Sequence, residues 1–135
     1  MAITVFKGTF LSNMWNGGKA EIVYQAMKAS YTADKEMILN AKNGYEAKKL
    51  GKTIKIRRDW DQIRLRVMTE IVETKFRDPE LMKKLKATAP HELIEGNYWH
   101  DNYWGDCTCD KCKNIKGENN LGKILMKVRE EGERA

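Results

Sequence analysis

Apolar residues along this chain recur mostly at helical spacing, and only short stretches read as strand. Between Glu21 and Ala29, at about 100° per residue, Ile22, Val23, Ala26 and Met27 fall on one side. Glu21, Tyr24, Gln25 and Lys28 share the other side. The longest predicted helix runs from Trp60 to Phe76 with Asp59 as its cap. Trp60, Ile63, Val67, Met68, Ile71, Val72 and Phe76 form its apolar stripe. Leu121, Ile124, Leu125 and Val128 make an i, i+3, i+4, i+7 stripe, which sets a C-terminal helix. Further helices are predicted near 33–43 and 45–50, closed by Gly44 and Gly51 as stops. Another covers Glu80–Lys86, where Asp78-Pro79 supplies a cap and a proline at the first helical position. Ala2–Phe6 is short and β-rich, and Glu92–Glu95 reads as a brief strand. Phe10–Gly18 reads as a loop whose Gly-Gly stop leads into a hairpin. The predicted class is α+β, predominantly helical, with a few short strands in a single domain over residues 1–135.

Composition narrows the class. With 41% hydrophobic and 33% charged residues the chain suits a soluble globular protein and not a disordered one. Its apolar runs are too short for a membrane span or a signal-peptide core, so a cytoplasmic location is expected. Lys+Arg number 25 against 19 Asp+Glu, a formal +6 that favours phosphorylated ligands. The lysines are spread over helix surfaces with no unbroken basic run, so the charge is not by itself a DNA-binding footprint. Cys107, Cys109 and Cys112 are an odd count packed too closely for a disulfide framework. Three thiols at that spacing can grip a structural zinc, with His100 or His91 as fourth ligand. A complete zinc site ordinarily shows two clear ligand pairs, so free thiols in a flexible loop are the default reading.

Three islands could carry chemistry. Residues 97–106, Asn-Tyr-Trp-His-Asp-Asn-Tyr-Trp-Gly-Asp, set aromatic pairs around Asp101. Rings such as Tyr103 and Trp104 can stack on a base or sugar face while a carboxylate acts on the bond held there, although such rings also simply anchor loops to a core. In the first long helix Glu21 and Lys28 stand two turns apart, about 10 Å, with Gln25 between them. Their side chains can converge on one small ligand, yet a polar helix face is ordinarily solvated. Gly117-Glu-Asn-Asn-Leu-Gly122 opens the C-terminal helix, where free N–H groups suit a phosphate and where Asn119 or Asn120 also fits as a plain cap. Trp60 is either core or a stacking platform, and periodicity favours core.

In order along the chain, these residues resemble the NADAR (NAD and ADP-ribose) family, the YbiA-like N-glycosidases. The motifs are Phe10-Leu-Ser-Asn-Met14, Glu21-Ile-Val-Tyr-Gln-Ala-Met-Lys28, Asp59-Trp-Asp61, Lys75-Phe76, and Leu85-x-x-Thr88 followed by Leu93-Ile-Glu95. Asp101-x-Tyr-Trp-Gly-Asp106 and Asn119-x-Leu-Gly-x-x-Leu-Met-x-x-Arg129 complete the series, which covers nearly the whole chain. The resemblance implies hydrolysis of a ribosyl C–N bond, with no cofactor required for the chemistry. Its substrate types are ADP-ribose on guanine bases of nucleic acid and a phosphoribosylamino-pyrimidine intermediate of riboflavin synthesis. The +6 charge leans toward ADP-ribosylated DNA or RNA. By the same resemblance Glu21, Trp60 and Asp101 fall on residues tied to catalysis, and Lys28 on a lysine proposed to trap ribose C1 as an imine. Asn13, Gln25, Trp60, Tyr103, Trp104, Asn119 and Asn120 are the expected substrate-binding residues. Two positions depart from the pattern: Ile22 stands where the family has histidine, and the cysteines fill a loop that relatives make of glycines. On this reading Glu21 and Lys28 meet Asp101 around one ribose. A non-catalytic module that binds ADP-ribose or a nucleotide is the competing class, and a zinc-dependent interaction protein is a third.

Overall fold

The computed structural model describes residues 2–5 and 9–134. Phe6, expected to end the first strand, lies outside them. The chain divides into two compact units, residues 13–71 and residues 1–12 with 72–135, the division falling inside one long helix.

In the unit of residues 13–71, α1 (Lys19–Met27), α2 (Thr32–Leu39) and α3 (Gly44–Gly51) pack against one another. Their shared core is Ala26, Ile38 and Ala47, flanked by Ile22, Ala41, Leu50 and Ile54. Alanines on the facing helices let the backbones approach, and Ile38 fills the space between them. The hairpin expected after the Gly17-Gly18 stop does not form. Instead a single 3-10 turn over Asn16–Gly18 runs into α1, with Gly18 at φ +77°. A side chain on Gly18 would lie 2.5 Å from the Gly44 Cα, so only glycine permits this contact. Gly44 is therefore the first residue of α3 and not the stop of the helix before it. Asn43 caps α3 by accepting from the Glu46 N–H at 2.9 Å. Likewise Gly51 is the last residue inside α3, and α2 ends at Leu39, four residues earlier than its pattern suggested.

The long helix α4 spans Trp60–Lys75. At its start the Asp59 carboxylate is held by Arg57 through two hydrogen bonds of 2.7 and 3.0 Å, while its backbone carbonyl takes the N–H groups of Gln62 and Ile63.

In the other unit β1 (Ala2–Val5), β2 (Glu92–Asn97) and β3 (Asp106–Cys107) form a parallel sheet in the order β1-β2-β3. Ala2 pairs with Glu92 and Asn97 with Cys107. The central strand is longer than its sequence suggested, because Gly96 and Asn97 pair with a two-residue strand that leaves no periodic trace. Helix α6 (Asn120–Arg134) lays Leu121, Ile124, Leu125 and Val128 inward and packs on β2. Helix α5 (Pro79–Lys86), capped by Asp78, adds Leu81 and Leu85 against α6. Leu85 and Leu93 are fully buried, and truncating either to alanine costs about 2–5 kcal/mol. Arg129 is buried as well, and its guanidinium donates to Thr88 Oγ1 at 3.0 Å and the His91 carbonyl at 2.8 Å. Among the described residues no helix is long and apolar enough to cross a membrane.

Candidate active site

Helix α1 buries the side its pattern marks as polar. Glu21, Tyr24 and Gln25 are buried together with Ala26 of the apolar side, while Val23 stands 39% exposed, so burial extends past the apolar stripe onto the polar positions. Glu21 and Gln25 keep 7% and 5% exposure, and carboxylates and amides at that depth need partners. Gln25 Nε2 donates to Glu21 Oε1 at 3.3 Å. Gln25 Oε1, by contrast, is buried with no hydrogen-bond partner among the described residues. It lies against Gly51, where an added Cβ would overlap it and sit 3.3 Å from Lys28 Nζ. The absent side chain at Gly51 of α3 thus lets the unsatisfied Gln25 oxygen sit against the α3 backbone, close to the Lys28 amine.

Lys28 caps the C-terminal end of α1 and is half-buried. Its backbone is pinned: the carbonyl accepts the Arg57 N–H at 2.9 Å, and Ala29 bridges to Ile56. Burial lowers the pKa of the Lys28 amine, the Glu21 carboxylate draws it back up, and Lys52 lowers it further. The amine is thus neutral more often than a solvated lysine. Trp60 is buried against Tyr24 with ring centroids 5.2 Å apart, which fixes the position of α4 relative to α1 in this unit. The Asn13 carbonyl accepts the Glu21 N–H at 3.3 Å, and its side-chain amide points to Met68 Sδ at 3.3 Å.

In the other unit the aromatic loop is clamped. Asn97, 1% exposed at the end of β2, donates to the Asp101 carbonyl at 2.7 Å and accepts the Asp101 N–H at 3.0 Å. Asp101 Oδ1 takes the N–H groups of Tyr103 and Trp104 at 3.1 and 2.9 Å, closing a tight turn. Both of these hydrogen bonds fall on Oδ1. The Tyr103 and Trp104 rings meet edge to face, 4.8 Å apart and half-buried.

The start of α6 is occupied in a way that sequence did not reveal. N–H groups of Glu118, Asn119, Asn120 and Leu121 donate to the carbonyls of Asn102, Gly105, Tyr103 and Trp104, at 2.8–3.2 Å. The donors expected to receive a phosphate hold the aromatic loop instead. The Asn119 amide is also committed, donating to the Leu93 carbonyl and accepting the Glu95 N–H along β2. Asn120 is half-buried as the first residue of α6.

Two features escaped the sequence reading. Lys75 is largely buried, donates to the Ser12 carbonyl at 3.0 Å and has its pKa lowered to about 8 by that burial. Tyr98 and Trp99 form an edge-to-face pair, 63% and 37% accessible, with ring centroids 5.2 Å apart. Lys75 stood in the Lys75-Phe76 motif, but nothing in the sequence marked its side chain as buried. Tyr98 and Trp99 were visible as aromatics, but their exposure was not. The candidate metal ligands do gather: single ligand atoms of His100, Cys107, Cys109 and Cys112 lie within 4.8 Å of one another. His91 is not in the group.

Helix α1 and its C-cap thus hold a buried carboxylate, a buried amide and a partly desolvated amine. A family description, the NADAR domain, matches residues 9–131. An N-glycosidase of Nostoc punctiforme is 36% identical over 116 residues, 82% of this chain and 71% of that protein. N-glycosidase YbiA of Escherichia coli is 32% identical over 115 residues, covering 83% and 68%. A riboflavin biosynthesis protein of Vibrio vulnificus is 37% identical over 115 residues, but the chain spans only 30% of its length. The NMR structure of E. coli YbiA superimposes with a TM-score of 0.76 at 29% identity, over 97% of this chain and 86% of that one. The class is that of the N-glycosidases, hydrolases that act on N-glycosyl bonds. The chain belongs to the NADAR family.

Proposed function

We propose that this protein hydrolyses the bond between ribose C1 and a nitrogen of a nucleotide-like substrate. The supporting observation is the buried Glu21–Gln25 pair beside Lys28, because folding does not favour burying an amide oxygen with no partner. In C–N cleavage the bonding electrons leave with nitrogen, C1 becomes cationic, and nitrogen takes up a proton. Glu21 stabilises the cation, and Asp101 is assigned the acid–base role toward the leaving nitrogen or the attacking water. Lys28 Nζ adds to C1 as the base departs; the sugar ring then opens to an imine, which water hydrolyses to free sugar and amine. Its depressed pKa supports that role, since only the neutral amine is a nucleophile. Gln25, Asn13, Trp60, Tyr103, Trp104 and Asn120 are assigned to substrate binding. Asn119 serves there by holding the loop.

The substrate class is a phosphorylated ribosyl base. The name of the Vibrio protein supports a phosphoribosylamino-pyrimidine, and the +6 charge supports ADP-ribosyl-guanine in nucleic acid. Offering both to the purified chain and identifying released bases by mass spectrometry decides between them. Glu21→Gln and Asp101→Asn are expected to abolish release while circular dichroism and melting stay close to wild type. Saturable binding of either compound with no free base would instead make the protein a binding module. Borohydride under turnover is expected to fix sugar to Lys28, and no adduct would leave that lysine a binding cation only.

A further inference from the structure

We propose that His100, Cys107, Cys109 and Cys112 form a structural zinc site that fastens the aromatic loop to β3. A tetrahedral ion with about 2.3 Å bonds to sulfur and about 2.0–2.1 Å to nitrogen needs sulfur–nitrogen edges of about 3.6 Å. The three Sγ atoms lie 3.3 Å (Cys109), 3.4 Å (Cys112) and 3.9 Å (Cys107) from His100 Nδ1. All four atoms are within 4.8 Å of one another, and the three cysteines are free thiols. Four protein atoms at these separations surround one point, and no disulfide competes for them.

Local folding builds the site. Cys107 ends β3, and Cys109 precedes a 3-10 turn over Asp110–Cys112 in which the Cys112 N–H returns to the Cys109 carbonyl at 3.1 Å. That turn brings both sulfurs to one side of a knuckle. His100 reaches them from the aromatic loop with φ +68°, a left-handed conformation that histidine adopts more readily than most side chains. Asn102 braces the ligands from behind: its Oδ1 accepts the Cys107 N–H at 2.9 Å, and its Nδ2 lies 3.5 Å from Cys112 Sγ. Such outer contacts orient metal ligands and soften thiolate charge. Three thiolates around a divalent ion carry one net negative charge, and the exposed Lys111, Lys113 and Lys116 lie on the same excursion.

Three sulfurs and one imidazole select zinc over magnesium or calcium, which take oxygen ligands. A full set of four protein ligands leaves no open position, so the ion holds structure and is not catalytic. On binding, each sulfur bonds the metal as its proton passes to solvent, which makes affinity fall in acid. His100 directly precedes Asp101, so the ion anchors the residue next to the proposed acid–base group.

The test is independent of any substrate. Full-length protein purified without a metal-affinity tag is expected to contain about one zinc per chain by elemental analysis. Reduced protein stripped by chelator and titrated anaerobically with cobalt(II) should show thiolate-to-cobalt charge transfer and the strong visible bands of a tetrahedral site, saturating at about one ion. Cys109→Ser, at a half-exposed position, should lower zinc content about tenfold or more. His100→Ala should weaken the visible bands, and His91→Ala should change neither metal content nor spectrum. The assignment is overturned if reduced protein binds neither ion, if iron is the metal found, or if His91→Ala removes the metal.

Discussion

Replacing Gln25 by methionine keeps the length of the side chain and removes both of its polar atoms. Oε1 is buried without a partner, and deleting such an acceptor recovers about 1–3 kcal/mol. Nε2 donates to the Glu21 carboxylate, and hydrogen bonds to charged groups contribute about 1.5–3 kcal/mol, the lower end applying at the 3.3 Å seen here. The two effects nearly cancel, so Gln25→Met should fall within about 1 kcal/mol of wild type, or about 4 °C in Tm for a chain of this size. Turnover should suffer far more. If the orphaned oxygen serves substrate and the amide places Glu21, losing about 1.5–3 kcal/mol in the transition state lowers kcat roughly 10- to 100-fold. Thermal melts and base-release kinetics on the same preparation measure both numbers. A variant destabilised by about 2 kcal/mol or more that kept full kcat would refute the reasoning, because the amide would then be serving the fold alone.

Gly51→Ala tests the same space from α3. A helical alanine gains about 0.5–1 kcal/mol over glycine, but its Cβ overlaps Gln25 Oε1 and overpacking costs about 1–3 kcal/mol. A net loss of about 1 kcal/mol in urea unfolding and slower turnover are expected, and a stabilised, fully active variant would contradict this. Lys75 has its folded pKa lowered to about 8 from 10.5, so between those values the unfolded chain holds a proton that the folded chain has released. Wild type should therefore gain stability as pH rises through that window, by at most about 3 kcal/mol. Lys75→Met should lack that rise, and unfolding profiles that run parallel across the window would show that burial does not depress the amine.

Helices α4, α5 and α6 were legible because their apolar stripes and the Asp78-Pro79 start obey ordinary packing rules. Helix α1 was legible as a helix but not as a surface. Its buried side carries Glu21 and Gln25, and a site that breaks the polar-outside rule cannot be recognised by that rule. Gly44 and Gly51 looked like helix stops because glycine often is one; here they are places where Gly18 and Gln25 come close. The strand β3 has two residues and no period to find. Asn119 and its neighbours read as an anion site because a sequence shows the free donors of a helix start but not the carbonyls that reach them. The order of the family motifs pointed to Glu21, Lys28 and Asp101, while the environment of each depends on residues distant in the chain.

Four successive amides at the mouth of α6 grip the carbonyls of residues 102–105, so the turn acts as an irregular leading coil of that helix. The excursion from Asp106 to Gly117 is thereby closed at its neck, and the Asp106 carboxylate adds a stitch to the Gly117 N–H at 3.0 Å. Lengthening or shortening that flap alters its own tip while both rims stay in register. This makes it the region where such a scaffold can gain or shed a cysteine knuckle without recutting the rest of the protein.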